Sequence, residues 1–328
     1  MKTIALLILL PGFFHSFAQE NYLEYHRTFV RIDNDILSND LNLASTRLDT
    51  IYATYPFIYA AHCIKALQIC CASNDSVRAG KWLQKAFRQG VPLWVIRNNG
   101  LTSGVYDFTQ TQEIILQYDS LHAVYRSSIR RDIAARIDSL LETDQQKTRR
   151  VNDGFFLFRH TLYGLSWLKN NKRQFALING IIDQYGFPGE RLIGLPSYYE
   201  DSAQAYKNIQ LYGPSLTDHR TYVMLIHYYS TPRKDINDKL ISNMTGGYIP
   251  PDQFGALNDF MARYGKNKYG DYRYYNVWHK DPDRQHLSEI SRRRNAVGLS
   301  DPAEQTRNEK INMARRKSNT ANSAILLE

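Results

Sequence analysis

Apolar residues in this chain recur three and four positions apart over most of its length, and they hardly ever alternate with polar ones. Such a pattern buries its apolar surface by packing helices, whereas a sheet would need period-two alternation. Leu41, Ala44, Leu48, Ile51, Tyr52 and Tyr55 mark a first helix over 40–55. Pro56 stops it and can start a second over 57–72. Asn74, Asp75 and Ser76 supply capping chemistry for a third, which ends at Gly90. Pro92, Asn98, Asn99, Gly100 and Gly104 punctuate a loop region over 91–112. Helices are expected over 112–127 and 129–150, then over 173–185, 217–229 and 234–244. A last helix follows Pro250 and Pro251 and runs through 264. The expectation is an all-α protein with little or no β-sheet.

Ala44, Leu48 and Tyr52 recur 35 residues later as Ala79, Leu83 and Phe87. A small, large, aromatic triplet at i, i+4 and i+8 with that period resembles tetratricopeptide-type helical hairpins. Stacked hairpins make concave surfaces, so a protein or peptide partner is expected on the N-terminal helices. The division read from the sequence is a signal peptide over 1–18, a helical-hairpin region over 19–128, a compact helical domain over 129–283 and a basic, partly disordered tail over 284–328.

Met1 and Lys2 lead into an apolar run, Ile4 to Leu10, followed by Ser16-Phe17-Ala18. The run is too short to span a bilayer and has the form of a secretory signal, cut before Gln19. No cysteine lies near that cut, which argues against a lipid anchor. The expected destination is the periplasm or the outside of the cell. No later stretch approaches the ~20 apolar residues of a membrane span.

The formal charge is +9, but nine Lys or Arg and four Asp or Glu fall between Arg284 and Lys317. More than half of the excess therefore sits in one basic stretch. That stretch can contact anionic surfaces weakly, and no nucleic-acid module accompanies it. The three cysteines, Cys63, Cys70 and Cys71, share one expected helix. Two turns separate the first pair by about 10 Å, beyond the ~7 Å reach of a disulfide. They are read as small buried hydrophobes.

No phosphate loop, zinc helix, nucleophile elbow or dinucleotide fingerprint is present, and no cofactor or metal is expected. Polar residues in apolar positions carry what chemistry there is. Ile133, Ile137, Leu140 and Leu141 form one stripe, and Asp144 continues it three turns after Ile133. A carboxylate on a buried face is costly unless paired or lining a cleft, with Arg149 or a distant donor as its partner. His227 follows Met224, Leu225 and Ile226 and faces the interior or a cleft. It is eight residues from His219, over 10 Å, so the two cannot share a metal. A general base with Asp144 as its orienter is one reading, and a neutral imidazole bonded to a neighbour is the other.

Residues 138–270 resemble a family of uncharacterised, often exported bacterial proteins. The resemblance rests on Asp144-Gln145 with Arg149, the turn from Tyr185 to Gly189 followed by Gly194, His227, and Tyr269-Gly270. The chain departs from the family at Ile226, where Gln is frequent, and at Asp271-Tyr272, where Thr-Gln is usual. The family has no established activity, so the resemblance implies a shared domain and not a reaction. Gly186 and Gly189 can shape a helix-joining turn or aim N–H groups at an anion. Expected site residues are Asp144 and His227 for catalysis and Gln145, Arg149, Gly186, Gly189 and Tyr269 for binding. The favoured function is an exported binding or interaction protein, and the alternative is a hydrolase or other enzyme using Asp144 and His227 in a cleft.

Overall fold

The computed structural model describes residues 21–200, 216–231, 233, 236–264, 274–277 and 286–307, and among them the secondary structure is helical with no strand. The signal-like segment, Tyr269-Gly270 and residues 308–328 lie outside the described residues. No helix among the described residues is long and apolar enough to cross a membrane.

A helix not foreseen from the sequence opens the fold. The Asn21 side chain accepts the Leu23 amide at 3.0 Å and starts α1 (Tyr22–Leu37), whose buried face is Tyr22, Tyr25, Phe29, Ile32 and Ile36. Two of those five residues are tyrosine, and His26, Asp33 and Asp35 are buried beside them, so only Ile32 and Ile36 mark the face as aliphatic. α1 packs on α2 (Leu41–Thr54), capped by Asp40 through the Leu43 amide. A second pair, α3 (Ala60–Ala72) and α4 (Ser76–Arg88), packs the same way, with Asp75 capping α4 through the Arg78 amide. Pro56 starts no helix, because Tyr59 remains extended and α3 begins after it.

The recurring triplet falls on the second helix of each pair. Ala44, Leu48, Ala79, Leu83 and Phe87 are fully buried, but Tyr52 is half-exposed, so the repeat is hairpin-like and incomplete. Cys63 and Cys70 are buried and unbridged in α3, as their spacing required, and burial pushes both thiols up. Lys65 is also sealed in α3, paired with Asp33 of α1 at 2.7 Å.

The expected loop over 91–112 is instead folded. It holds α5 (Leu93–Asn98), a 3-10 turn (Ser103–Asp107) and the start of α6 (Thr109–Leu116). Buried threonines replace apolar anchors here: Thr102 donates to the Ile96 carbonyl at 3.0 Å and Thr111 to the Val105 carbonyl. The helix expected over 112–127 is divided at Gln117, after which α7 (Tyr118–Ser128) begins.

A second apolar cluster gathers α8 (Arg131–Asp153), α9 (Gly164–Tyr185), α10 (Glu190–Ile193), α11 (Arg220–Tyr229), α12 (Asn237–Thr245) and α13 (Pro251–Tyr264). It is separate from the cluster built by α1 to α7. The turn between α9 and α10 joins the two. Gly186 takes φ +91°, a conformation open to glycine without strain, and reverses the chain. Glu190 then accepts the Ala60 amide at 2.6 Å, and the Tyr59 hydroxyl donates to the Gly247 carbonyl at 3.0 Å.

The basic stretch after residue 284 is corrected in part. Part of it is folded: α14 (Leu287–Ala296) buries Ile290 and Arg294. The Arg294 guanidinium donates to the carbonyls of Tyr275 (2.9 Å) and Ser300 (2.6 Å) and to Gln305 (2.6 Å). Five donors in a rigid fork suit it to gathering main-chain carbonyls from separate segments.

Candidate functional site

α8 and α9 form a long hairpin, and α11 crosses its base. Asp144 projects from α8 at that crossing and is fully buried. His227, in the last turn of α11, meets it: the imidazole Nδ1 lies 2.7 Å from the Asp144 Oδ2. The same oxygen accepts from the Gln145 Nε2 at 3.1 Å. An ionised carboxylate only accepts, so it holds a neutral imidazole as the Nδ1–H tautomer, with the lone pair on Nε2. The His227 side chain is 20% exposed, so this pair joins a sealed acid to a ring that reaches solvent.

Neighbouring side chains fix the ring. Trp167 of α9 packs edge-on to it at 5.8 Å and anchors its own indole N–H on Thr148 of α8 at 3.1 Å. Asn171 donates to the His227 carbonyl at 3.3 Å, one of the last-turn carbonyls that lack an intrahelical partner. One turn on, Gln174 donates to the Leu140 carbonyl at 2.6 Å. Asp144, Asn171 and Gln174 are all buried, and the Asp144 Oδ1, Asn171 Oδ1 and Gln174 Oε1 accept no hydrogen bond among the described residues. Buried acceptors left without donors are costly, and three of them gather at this crossing.

The structure thus brings Asp144, Gln145 and His227 together and leaves Arg149 apart. Arg149 is exposed on the α8 face, and the partner of Asp144 is His227. Gly186 and Gly189 belong to the joining turn. Their N–H groups donate to the carbonyls of Ile182 and Phe187, and the intervening Phe187 amide donates to Asn243 at 2.5 Å. The glycines also serve close packing, since a Cβ on Gly189 would lie 2.6 Å from the Tyr248 carbonyl. Tyr269 lies outside the described residues. His219 stands at the N-terminus of α11, away from the pair. No group of three or more His, Cys, Asp or Glu suited to a metal ion occurs among the described residues.

Trp167, Asn171 and Gln174 were not read from the sequence, although a signal for the last two existed. Asn171, Gln174, Ile178 and Ile182 follow helical spacing, so two amides extend an apolar stripe just as Asp144 extends its own. A cavity of about 310 Å³ lies elsewhere, between α2, α4 and α7, walled by Tyr52, Gln84, Lys85, Arg88 and Val124.

No family model matches the chain, and neither the curated proteins nor the solved structures include a match.

Proposed function

We propose that the base of the α8–α9 hairpin is an acid–base site and that the protein is an exported hydrolytic enzyme with His227 as its general base. The observation that supports this reading is the 2.7 Å bond between a sealed Asp144 carboxylate and an imidazole that is 20% exposed. In this role the Nε2 lone pair takes a proton from a water, and the resulting hydroxide attacks the electrophilic centre of a bound ligand. Asp144 stabilises the imidazolium, which returns the proton to the leaving group. Lys147, Arg149, Lys169 and Lys172 lie on the same stretch of hairpin, so an anionic ligand suits the site. Membership of the family that residues 138–270 resemble belongs to the same proposal.

The test is turnover of a panel of anionic carboxylic and phosphoric esters, with His227→Gln and Asp144→Asn beside the unmodified chain. Loss of one proton-transfer group should lower turnover by at least about 100-fold. A substrate-independent check is carbethoxylation by diethylpyrocarbonate, mapped by mass spectrometry. His227 should react readily and Asp144→Asn should slow it. An inert His227 together with no turnover would refute the reading.

The cavity between α2, α4 and α7 supports a second reading, a binding scaffold in the N-terminal helices. Lys85 and Arg88 on its wall suit an acidic peptide. Peptides selected on the unmodified chain should fail to bind Arg88→Glu if this reading holds.

A further inference from the structure

Beyond Asp144 on α8 and before Asn171 on α9, the hairpin leaves the core. None of the described side chains from Gln145 to Asn170 is buried. Nine residues of helix separate Asp144 from the end of α8 at Asp153, a projection of about 14 Å. The tip then exposes large apolar residues where a water-facing connection would carry polar ones. Phe155 is 55% exposed, Phe156 67%, Leu157 59%, Leu162 61% and Leu165 65%. Phe155 packs on Phe156 and Phe158, so the rings form one cluster and are not scattered singly. A contiguous apolar tip of this kind marks an interaction surface.

Its collar is strongly basic. Between Lys147 and Arg173 stand Lys147, Arg149, Arg150, Arg159, Lys169, Lys172 and Arg173, against Asp153 as the single acid. Arg150 and Arg159 stand beside the aromatic knob, and Lys147, Arg149, Lys169, Lys172 and Arg173 lie farther down the hairpin. Cations behind an aromatic tip form the pattern of an interfacial membrane anchor: rings enter the headgroup boundary and cations meet anionic lipid. A protein partner would need acidic side chains in a ring around a matching pocket, and a polyanion such as heparin would leave the aromatic residues without a purpose. The geometry points to the α8–α9 tip as a docking device for an anionic bilayer, with Phe155, Phe156 and Leu157 inserting and the basic collar holding the surface. It is independent of any chemistry at His227.

An environment-sensitive fluorophore reads the tip alone, whatever other segments of the full chain do. It is placed on Phe156→Cys, and for comparison on Val77→Cys, an exposed site on α4. Cys63 and Cys70 are sealed, and Cys71→Ser in both variants removes the half-buried third thiol. With phosphatidylglycerol-containing vesicles the Phe156→Cys probe should brighten and shift to the blue, while the Val77→Cys probe should not. Adding Phe155→Ser and Phe158→Ser should remove the response. Arg149→Gln with Arg150→Gln should weaken binding about thirtyfold, from about fivefold per cation at an anionic surface. All four residues are solvent-facing, so circular dichroism should be unchanged. A silent Phe156→Cys probe, an equal response to pure phosphatidylcholine, or a response to heparin that survives Phe155→Ser and Phe158→Ser would overturn the inference. So would a Phe156→Cys probe that responds without vesicles as the protein concentration rises, since a second copy would then cover the tip.

Discussion

Replacing His227 by Leu should cost more stability than replacing it and Asp144 together. The Asp144 carboxylate is fully buried, and its Oδ2 has two donors: His227 at 2.7 Å and Gln145 at 3.1 Å. The Oδ1 has none among the described residues. Removing the imidazole leaves one donor for a sealed charge, and breaking a buried pair from one side typically costs about 3–5 kcal/mol. Asp144→Asn removes the charge with little change in shape, and the cost falls to that of an incompletely bonded amide, about 1–2 kcal/mol. The second substitution should therefore restore about 2 kcal/mol to the His227→Leu protein. Urea unfolding of the four proteins gives the cycle, read as midpoint shifts at constant slope. If His227→Leu lies within about 1 kcal/mol of the unmodified chain, or if adding Asp144→Asn lowers stability further, the carboxylate does not depend on the imidazole and the account of the site fails.

Two further sites give independent checks. Gly194 has φ +70°, and a Cβ there would stand 2.2 Å from the Tyr125 hydroxyl, which accepts the Leu195 amide at 2.7 Å. Gly194→Ala should cost about 2–4 kcal/mol in thermal unfolding, whereas Gly180→Ala, on an exposed face of α9 with nothing within 4 Å, should stabilise by about 0.5–1 kcal/mol. Asp259 is sealed in α13 and burial raises its carboxyl from 3.8 to about 6, against the opposing pull of the Tyr275, Asn276 and Val277 amides. The folded state holds this proton more tightly than the unfolded one, so its contribution is complete below about pH 4 and is lost as pH rises through 6. That loss is about 3 kcal/mol between pH 4 and pH 7.5, and Asp259→Asn should remove it from the urea-derived stability profile.

Helices with an aliphatic stripe or a cap residue were legible in the sequence: α2, α4, α8 and α13 fall within a few residues of their expected bounds. α1 was not, because five of its eight buried residues are tyrosine, histidine or aspartate, which read as surface residues. The segment over 91–116 was hidden for a related reason. Its packing rests on Thr102 and Thr111 bonding to main-chain carbonyls, an arrangement with no periodicity. α9 begins at Gly164, earlier than expected, since its first turns cover no core and so carry no stripe. Arg294 shows the converse error. A run of three arginines reads as solvent-facing, yet the fold brings Arg294 the Tyr275 carbonyl from 19 residues away and the Ser300 carbonyl from the turn that follows its helix.

At the site, one residue of each polar interruption was readable and the pairing was not. Asp144 stood out because a carboxylate continued an apolar stripe, and His227 because it followed three buried residues. Nothing in a sequence places residues 83 positions apart at 2.7 Å; the crossing of α8 and α11 does that. Trp167 gave no signal, since an aromatic residue in an exposed helix turn is unremarkable until a histidine from another helix lies against its edge.

The claim that His227 is held as a proton acceptor is tested most directly by nitrogen NMR of the imidazole in its neutral form. The account predicts an Nδ1–H tautomer with a pyridine-like Nε2, converted towards the Nε2–H tautomer by Asp144→Asn. An Nε2–H tautomer in the unmodified protein, or a ring indifferent to Asp144→Asn, would contradict it.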